Sequence, residues 1–285
     1  MGLYVEFSSI TSPRAQRMEI CMRRERRKPR ILSPKERKEQ ELRIMISRFN
    51  YWFEDAVTPR LTDITKEMED FTNKTQTIKR EIREYEDSNS QYDNDGRSSE
   101  SYLELFSEIG GLDYEIDVLA AQRLAIEEMK VVCLYKEFEI LLKEIISISF
   151  PDTKEKDLFK WNKVDTILKS KGILVTDIIN NKIINELRLV NNNIKHSSVM
   201  GEEISKVNIA EFVGDETFTY ESLSDFYDRV RNQPVRFLEY LVKQIIDYLF
   251  VFDDERIDTI ANEFGGRMEK ETAIKLAEAL IKKFK

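Results

Sequence analysis

Apolar residues recur along most of this chain at intervals of three and four, the period of an α-helix seen from one side. Leu61, Ile64, Met68, Phe71, Thr75, Ile78, Ile82 and Tyr85 alternate strictly between the two intervals, and seven of the eight are apolar or aromatic. That spacing predicts the seam of a long helix packed along another; a coiled-coil dimer or a groove for a partner helix is the minority reading. Asp113 to Phe150 predicts a second long helix, apolar over much of its circumference between Val118 and Leu142 and so the central element. The seam helix is expected to fold back along it as an antiparallel hairpin.

Punctuation residues set the expected boundaries. A helical pattern opens at Lys35 with Ile46, Phe49 and Phe53 on its buried side, and Pro59 is expected to interrupt it or start a new helix. Glu86 to Ser101 reads as a polar loop, and a helix around Tyr102 to Ile109 is expected to end at Gly110-Gly111. Pro151-Asp-Thr predicts a turn, and Trp161 to Leu168 a short amphipathic helix closed near Gly172. The next helix is expected to start near Thr176-Asp177 and run to about Ser198. Lys206 to Phe218 alternates irregularly, as a short hairpin or an ordered loop would. Leu223 to Phe250 is helical with a kink or break at Pro234, and Phe237, Leu238, Leu241, Val242, Ile245 and Ile246 face a core by spacing. A last helix covers about Lys270 to Lys285. Residues 1–34 read as irregular, with a short strand admitted at Leu3 to Phe7. The predicted class is all-α, a helical bundle with a long N-terminal helical hairpin. Residues 1–34 form a basic segment, 35–111 the hairpin arm and loop, 112–250 a bundle, and 251–285 a C-terminal helical extension.

Composition sharpens this picture. The 285 residues carry a formal net charge of −8, so the molecule as a whole is not a polyanion binder. Its positive charge is concentrated early: Arg23, Arg24, Arg26, Arg27 and Lys28 sit on an otherwise acidic chain. Such a segment is commonly a solvated arm, and its other use is contact with RNA or an acidic partner. Two isolated cysteines, Cys21 and Cys133, and a single histidine exclude a structural zinc site and imply no cofactor. They fit a reducing compartment. No apolar run approaches the ~18 residues of a membrane span, and a secretory signal pattern is not seen, so a cytoplasmic location is expected. Asp253-Asp-Glu255, on an expected turn, and Pro151 to Lys156 are read as surface charge rather than metal ligands.

The one stretch with a chemical signature is Asn185-Glu-Leu-Arg-Leu-Val-Asn-Asn-Asn-Ile-Lys-His-Ser-Ser198. As a helix it places Ile183, Leu187, Val190 and Ile194 on one apolar face. Arg188, Asn192 and His196 follow at i, i+4 and i+8, spread over roughly 80° on the other side. A guanidinium, a carboxamide and an imidazole together would bind a phosphate and move a proton near neutral pH. The plain alternative is a cationic residue near a helix C-terminus, which the helix dipole favours. Three asparagines running, a weak helix former, tilt the reading toward function.

Glu186-Leu-Arg188 followed by Asn191-Asn-Asn-Ile-Lys-His196-Ser, late in a helical bundle, resembles the HEPN (higher eukaryotes and prokaryotes nucleotide-binding) superfamily over roughly residues 112–250. Trp161 to Gly172 is similar to the helix and turn that precede this motif in some members. The resemblance implies a metal-independent endoribonuclease acting at a dimer interface, as a toxin or antiviral defence effector. His196 would be general acid or base, Arg188 would stabilise the phosphorane, and Asn192 would orient the imidazole or phosphate. Asn191 and Lys195 would contact RNA or a partner. The family's arginine position five before the histidine holds Asn191 here. The alternative is a catalytically inactive helical module that binds a partner protein or a nucleotide. A homodimer, or a protein partner from the same system, and RNA are the expected partners.

Overall fold

A computed structural model describes residues 31–89, 98–197 and 199–283. The basic residues Arg23 to Lys28, Cys21 and the strand expected at Leu3 to Phe7 lie outside these residues, as does the 90–97 half of the expected polar loop. Among the described residues there is no strand; the protein is all-α.

Helix α1 (Pro34–Ile46) starts where proline suits a helix best, in the first turn, behind a reciprocal cap. The Glu36 amide donates to Ser33 Oγ at 3.2 Å, and the Ser33 amide donates to Glu36 Oε2 at 2.8 Å. α1 stops at Ile46 rather than running on through Phe49. The next helix, α2 (Trp52–Asn89), takes up Phe53 and passes straight through Pro59. The proline is exposed at the eighth position of α2, past the first turn, and neither interrupts nor opens the helix, although its missing amide leaves the Asp55 carbonyl without an i+4 donor.

Helix α3 (Ser98–Ser149) is the spine. It runs unbroken across Gly110-Gly111, where the sequence predicts an end. Packing overrides propensity here: Ile109 is buried with Ile78 and Ile82 of α2, and Tyr102, Leu105 and Leu112 close around them. α2 and α3 are antiparallel, since Arg60 donates to Gln122 and Tyr102 donates to Glu86. All eight seam positions from Leu61 to Tyr85 are buried or half-buried, as their spacing predicts.

The C-terminal half of α3 lies in the main core. Val131, Phe138, Ile145 and Ile146 are fully buried there, and α1, α5, α7 and α8 pack against the spine. Helix α4 (Trp161–Ser170) ends at Gly172, whose φ of +71° supplies the left-handed turn. Helix α5 (Asn181–His196) begins later than its sequence suggests. Val175–Asp177 forms a 3-10 turn, and Asn180, at φ 66°, reverses the chain before the helix opens.

Lys206 to Phe218 is the ordered loop rather than the hairpin, with only the end of α6 (Glu202–Val207) and a 3-10 turn at Ala210–Phe212 helical in it. Pro234 marks a break, separating α7 (Tyr220–Val230) from α8 (Gln233–Phe250) and lying in the first turn of α8. Phe237 of α8 meets Phe138 edge-on, with ring centroids 5.5 Å apart. Asp253, expected on a turn, instead caps α9 (Asp254–Gly265) by accepting from the Arg256 amide at 2.8 Å. α10 (Lys270–Lys283) follows.

Candidate phosphate-binding pocket

The buried side of α5 fixes what its other residues can reach. Ile184, Leu187 and Val190 are fully buried, while Ile183 and Ile194 are only half-buried. The core-facing side is therefore turned from the expected 183/187/190/194 face toward Ile184 and Asn191. Arg188, Asn191, Asn192 and Lys195, at i, i+3, i+4 and i+7, then share one flank and face α3. They line a pocket of about 210 Å³. Tyr135, Glu139 and Lys143 of α3 form its opposite wall, and Phe159 and Trp161 its aromatic end.

His196 is not part of this wall. It is exposed at the last position of α5, about 100° around the helix from Lys195. The stripe expected to unite Arg188, Asn192 and His196 is thus divided. Steps of four residues drift by about 40° each, and two such steps carry the imidazole off the pocket flank.

Charge in the pocket is positive, with Arg188, Lys143 and Lys195 against the single carboxylate of Glu139. Lys143 is engaged: its ammonium pairs with Glu139 at 2.9 Å and sits 5.0 Å from the Phe159 ring centroid. Arg188 donates from Nε and Nη2 to Asn185 Oδ1, at 3.3 and 2.9 Å. That grip orients the guanidinium and leaves its charge uncompensated. Lys195 makes no ion pair with a described residue. Burial pushes the Tyr135 hydroxyl up to about 12, with Glu139 adding to the rise and Arg188 opposing it, so the phenol stays a neutral donor.

The three asparagines have three different roles. Asn193 is architectural: its Oδ1 accepts from the Gly201 amide at 2.6 Å and its Nδ2 donates to the Val199 carbonyl at 3.0 Å, tying down the chain after α5. Asn192 is exposed and accepts from Asn191 Nδ2 at 3.1 Å. Asn191 is the informative one. It is 1% exposed, it lines the pocket, and its Oδ1 is buried with no hydrogen-bond partner. Such an orphaned acceptor costs about 1–3 kcal/mol, and because the atom has essentially no open surface, a ligand in the pocket reaches it only if the amide turns.

Glu186, part of the stretch that resembles HEPN, has a structural partner. Its buried carboxylate pairs with Arg229 of α7 at 2.9 Å, and Arg229 also donates to Glu211 at 2.5 and 2.9 Å. Burial alone would raise Glu211, but the hydrogen bonds from Arg229 outweigh it and hold the carboxyl below its ordinary value.

Tyr135, Glu139, Lys143 and Phe159 escape sequence reading, because they come from elements some thirty to sixty positions away. The one signal for them is a charged pair at i, i+4, Glu139 and Lys143, inside the strongly apolar half of α3. Among the described residues no group of three histidine, cysteine or carboxylate side chains is placed to hold a metal ion, and no helix is long and apolar enough to cross a membrane. No protein family, curated protein or solved structure matches the chain.

Proposed function

We propose that the pocket between α3 and α5 binds a nucleotide unit of RNA, its phosphate on Arg188 and Lys195 and its base against Phe159 and Trp161. The observation that carries this reading is the pair of cations without carboxylate partners, Arg188 and Lys195, on one flank of a pocket that ends in Phe159 and Trp161. Phosphate wants charge-assisted donors, and the two cations without carboxylate partners are on one helical flank. A base wants an aromatic face and a donor–acceptor edge. This is the binding-module reading of a HEPN-like protein.

Cleavage is the second reading, favoured by one observation: the His196 imidazole is exposed beside the pocket rather than packed or capped away. In a dimer it would meet RNA presented by the other copy, with attack by the ribose 2′-hydroxyl and a 2′,3′-cyclic phosphate as product. A role as a defence or toxin effector belongs to this reading.

The test is fluorescence anisotropy of a labelled single-stranded RNA, with EDTA present throughout. Arg188→Ala and Lys195→Ala are each expected to weaken binding about tenfold or more, as loss of a charged hydrogen bond of roughly 1.5–3 kcal/mol requires. Binding unchanged in both variants rules the pocket out. Strand scission that survives EDTA and disappears in His196→Ala establishes cutting; intact RNA leaves binding alone.

A further inference from the structure

The C-terminal helices α9 and α10 have the pattern of core helices and no core. Ile257, Ile260, Ala261 and Phe264 recur at i, i+3, i+4 and i+7, and so do Ala273, Leu276, Ala277 and Leu280. The two helices form a hairpin whose facing sides leave an open apolar groove of about 610 Å³. Yet neither helix contains a buried residue. Phe264 is 50% exposed and Leu280 52%.

The base of the hairpin is fixed, so this is not a loose tail. The Arg256 guanidinium donates to the carbonyls of Tyr248 and Val251 and stacks over the Tyr248 and Phe252 rings, at 4.7 and 4.3 Å. Those contacts tie the first turn of α9 to the end of α8.

We infer that this hairpin is a self-association surface, on which the hairpin of a second copy of the chain packs to complete a four-helix bundle. Three features choose that occupant. The first is the width of the apolar arc. On α10, Ile274 and Ile281 extend the groove-side residues to an arc of roughly 160°, wider than the ~100° stripe that one neighbour covers. α9 alone does not satisfy it.

The second is area. Val251, Phe252, Ile257, Phe264, Ile274, Leu276, Leu280 and Ile281 are each about half exposed. Taking roughly 150–200 Å² for each full side chain, they present roughly 700 Å² of apolar surface, close to the ~800 Å² that each partner buries in a standard interface.

The third is charge. Residues 254–283 hold seven acidic and six basic side chains, so the hairpin is near neutral on a chain of net −8. The acids gather on α9, with Asp254, Glu255, Asp258 and Glu263 against Arg256. The bases gather on α10, with four lysines against two glutamates. A two-fold axis sets acidic α9 beside basic α10 of the other copy, which makes the surface complementary to itself.

The experiment is sedimentation equilibrium of the full chain from 1 to 100 µM. Wild type is expected at twice the chain mass in the upper part of that range. Phe264→Asp/Leu280→Asp is expected at the chain mass throughout. Thr259→Asp, on the polar back of α9, is expected to behave as wild type. Circular dichroism checks that the variants keep the helical signal. A monomeric wild type at 100 µM overturns the inference, and capture of a lipid vesicle or of another protein by that monomer would identify the alternative occupant. A double variant that remains dimeric also overturns it, by placing the interface elsewhere. The outcome is independent of RNA binding, since neither variant touches the α3–α5 pocket.

Discussion

The bundle body and the C-terminal hairpin are written in the same code and meet different fates. α8 buries Phe237, Leu238, Leu241, Val242, Ile245 and Ile246 almost completely, while α10, with the same three-and-four spacing, buries nothing. The difference lies in what stands opposite. α8 faces α1, α3 and α5, whereas among the described residues the main neighbour of α10 is α9. Hydrophobic period therefore reports that a helix has a face, and its neighbours decide whether that face is filled from within the chain.

The sharpest way to separate the two regions is to hollow out each one. Phe237→Ala removes a fully buried ring packed on Phe138, and a cost of about 3–5 kcal/mol is expected in urea unfolding. Phe264→Ala removes a ring already half in water, and in dilute, monomeric protein it is expected to change stability by less than about 1 kcal/mol. Equal losses at the two positions would mean that the hairpin is covered within one chain.

The second test concerns a polar link that only the body contains. Arg229 is the cation between Glu186 and Glu211, and Arg229→Met leaves the buried Glu186 carboxylate only the longer pair to Lys182 at 3.8 Å. Arg229 keeps part of its surface in water, so the expected loss is about 2–3 kcal/mol, at the low end for a broken buried pair. The pH dependence follows from Glu211. Its folded-state value is depressed, so its contribution is complete above the ordinary 4.5 and is lost as pH falls through the lower folded value. Thermal melts between pH 7 and pH 3 are therefore expected to fall less steeply in Arg229→Met than in wild type. Parallel profiles would show that Arg229 is not the group holding Glu211 down.

These contrasts also show what the sequence could and could not disclose. Helix content, the α2 seam and the core face of α8 were legible, because each depends on residues spaced along one element. Helix ends were less so. Asn180 in a left-handed conformation carries no marker that distinguishes it from the start expected at Thr176-Asp177, and Pro59 resembles a breaker although α2 runs through it. The pocket was half legible. Its α5 flank follows from spacing once the buried face is known, but a shift of that face by one position exchanges His196 for Lys195. Its other wall depends on which turn of α3 passes α5, a tertiary fact. Asn193 illustrates the same limit: next to two pocket residues, it is identified as a loop anchor only by its bonds to Val199 and Gly201.

The smallest expected effect bears on the third region, the α2–α3 arm, where a local signal was read correctly in kind and wrongly in outcome. Gly110 and Gly111 weaken a helix, but α3 continues through them because Ile109 and Leu112 are held by α2. A methyl group built at either glycine meets no atom within 4 Å, and neither has a positive φ. Alanine at each position is therefore expected to stabilise the arm by about 1 kcal/mol, the propensity difference undiminished by any clash. Hydrogen exchange gives the site-specific readout: amides around Ile109 should exchange about fivefold more slowly per substitution. Amides around Phe138 and Phe237 should be unchanged if the arm opens independently of the body. Slowing in both places would mean that the spine transmits the gain along its whole length and that arm and body open as a single cooperative unit.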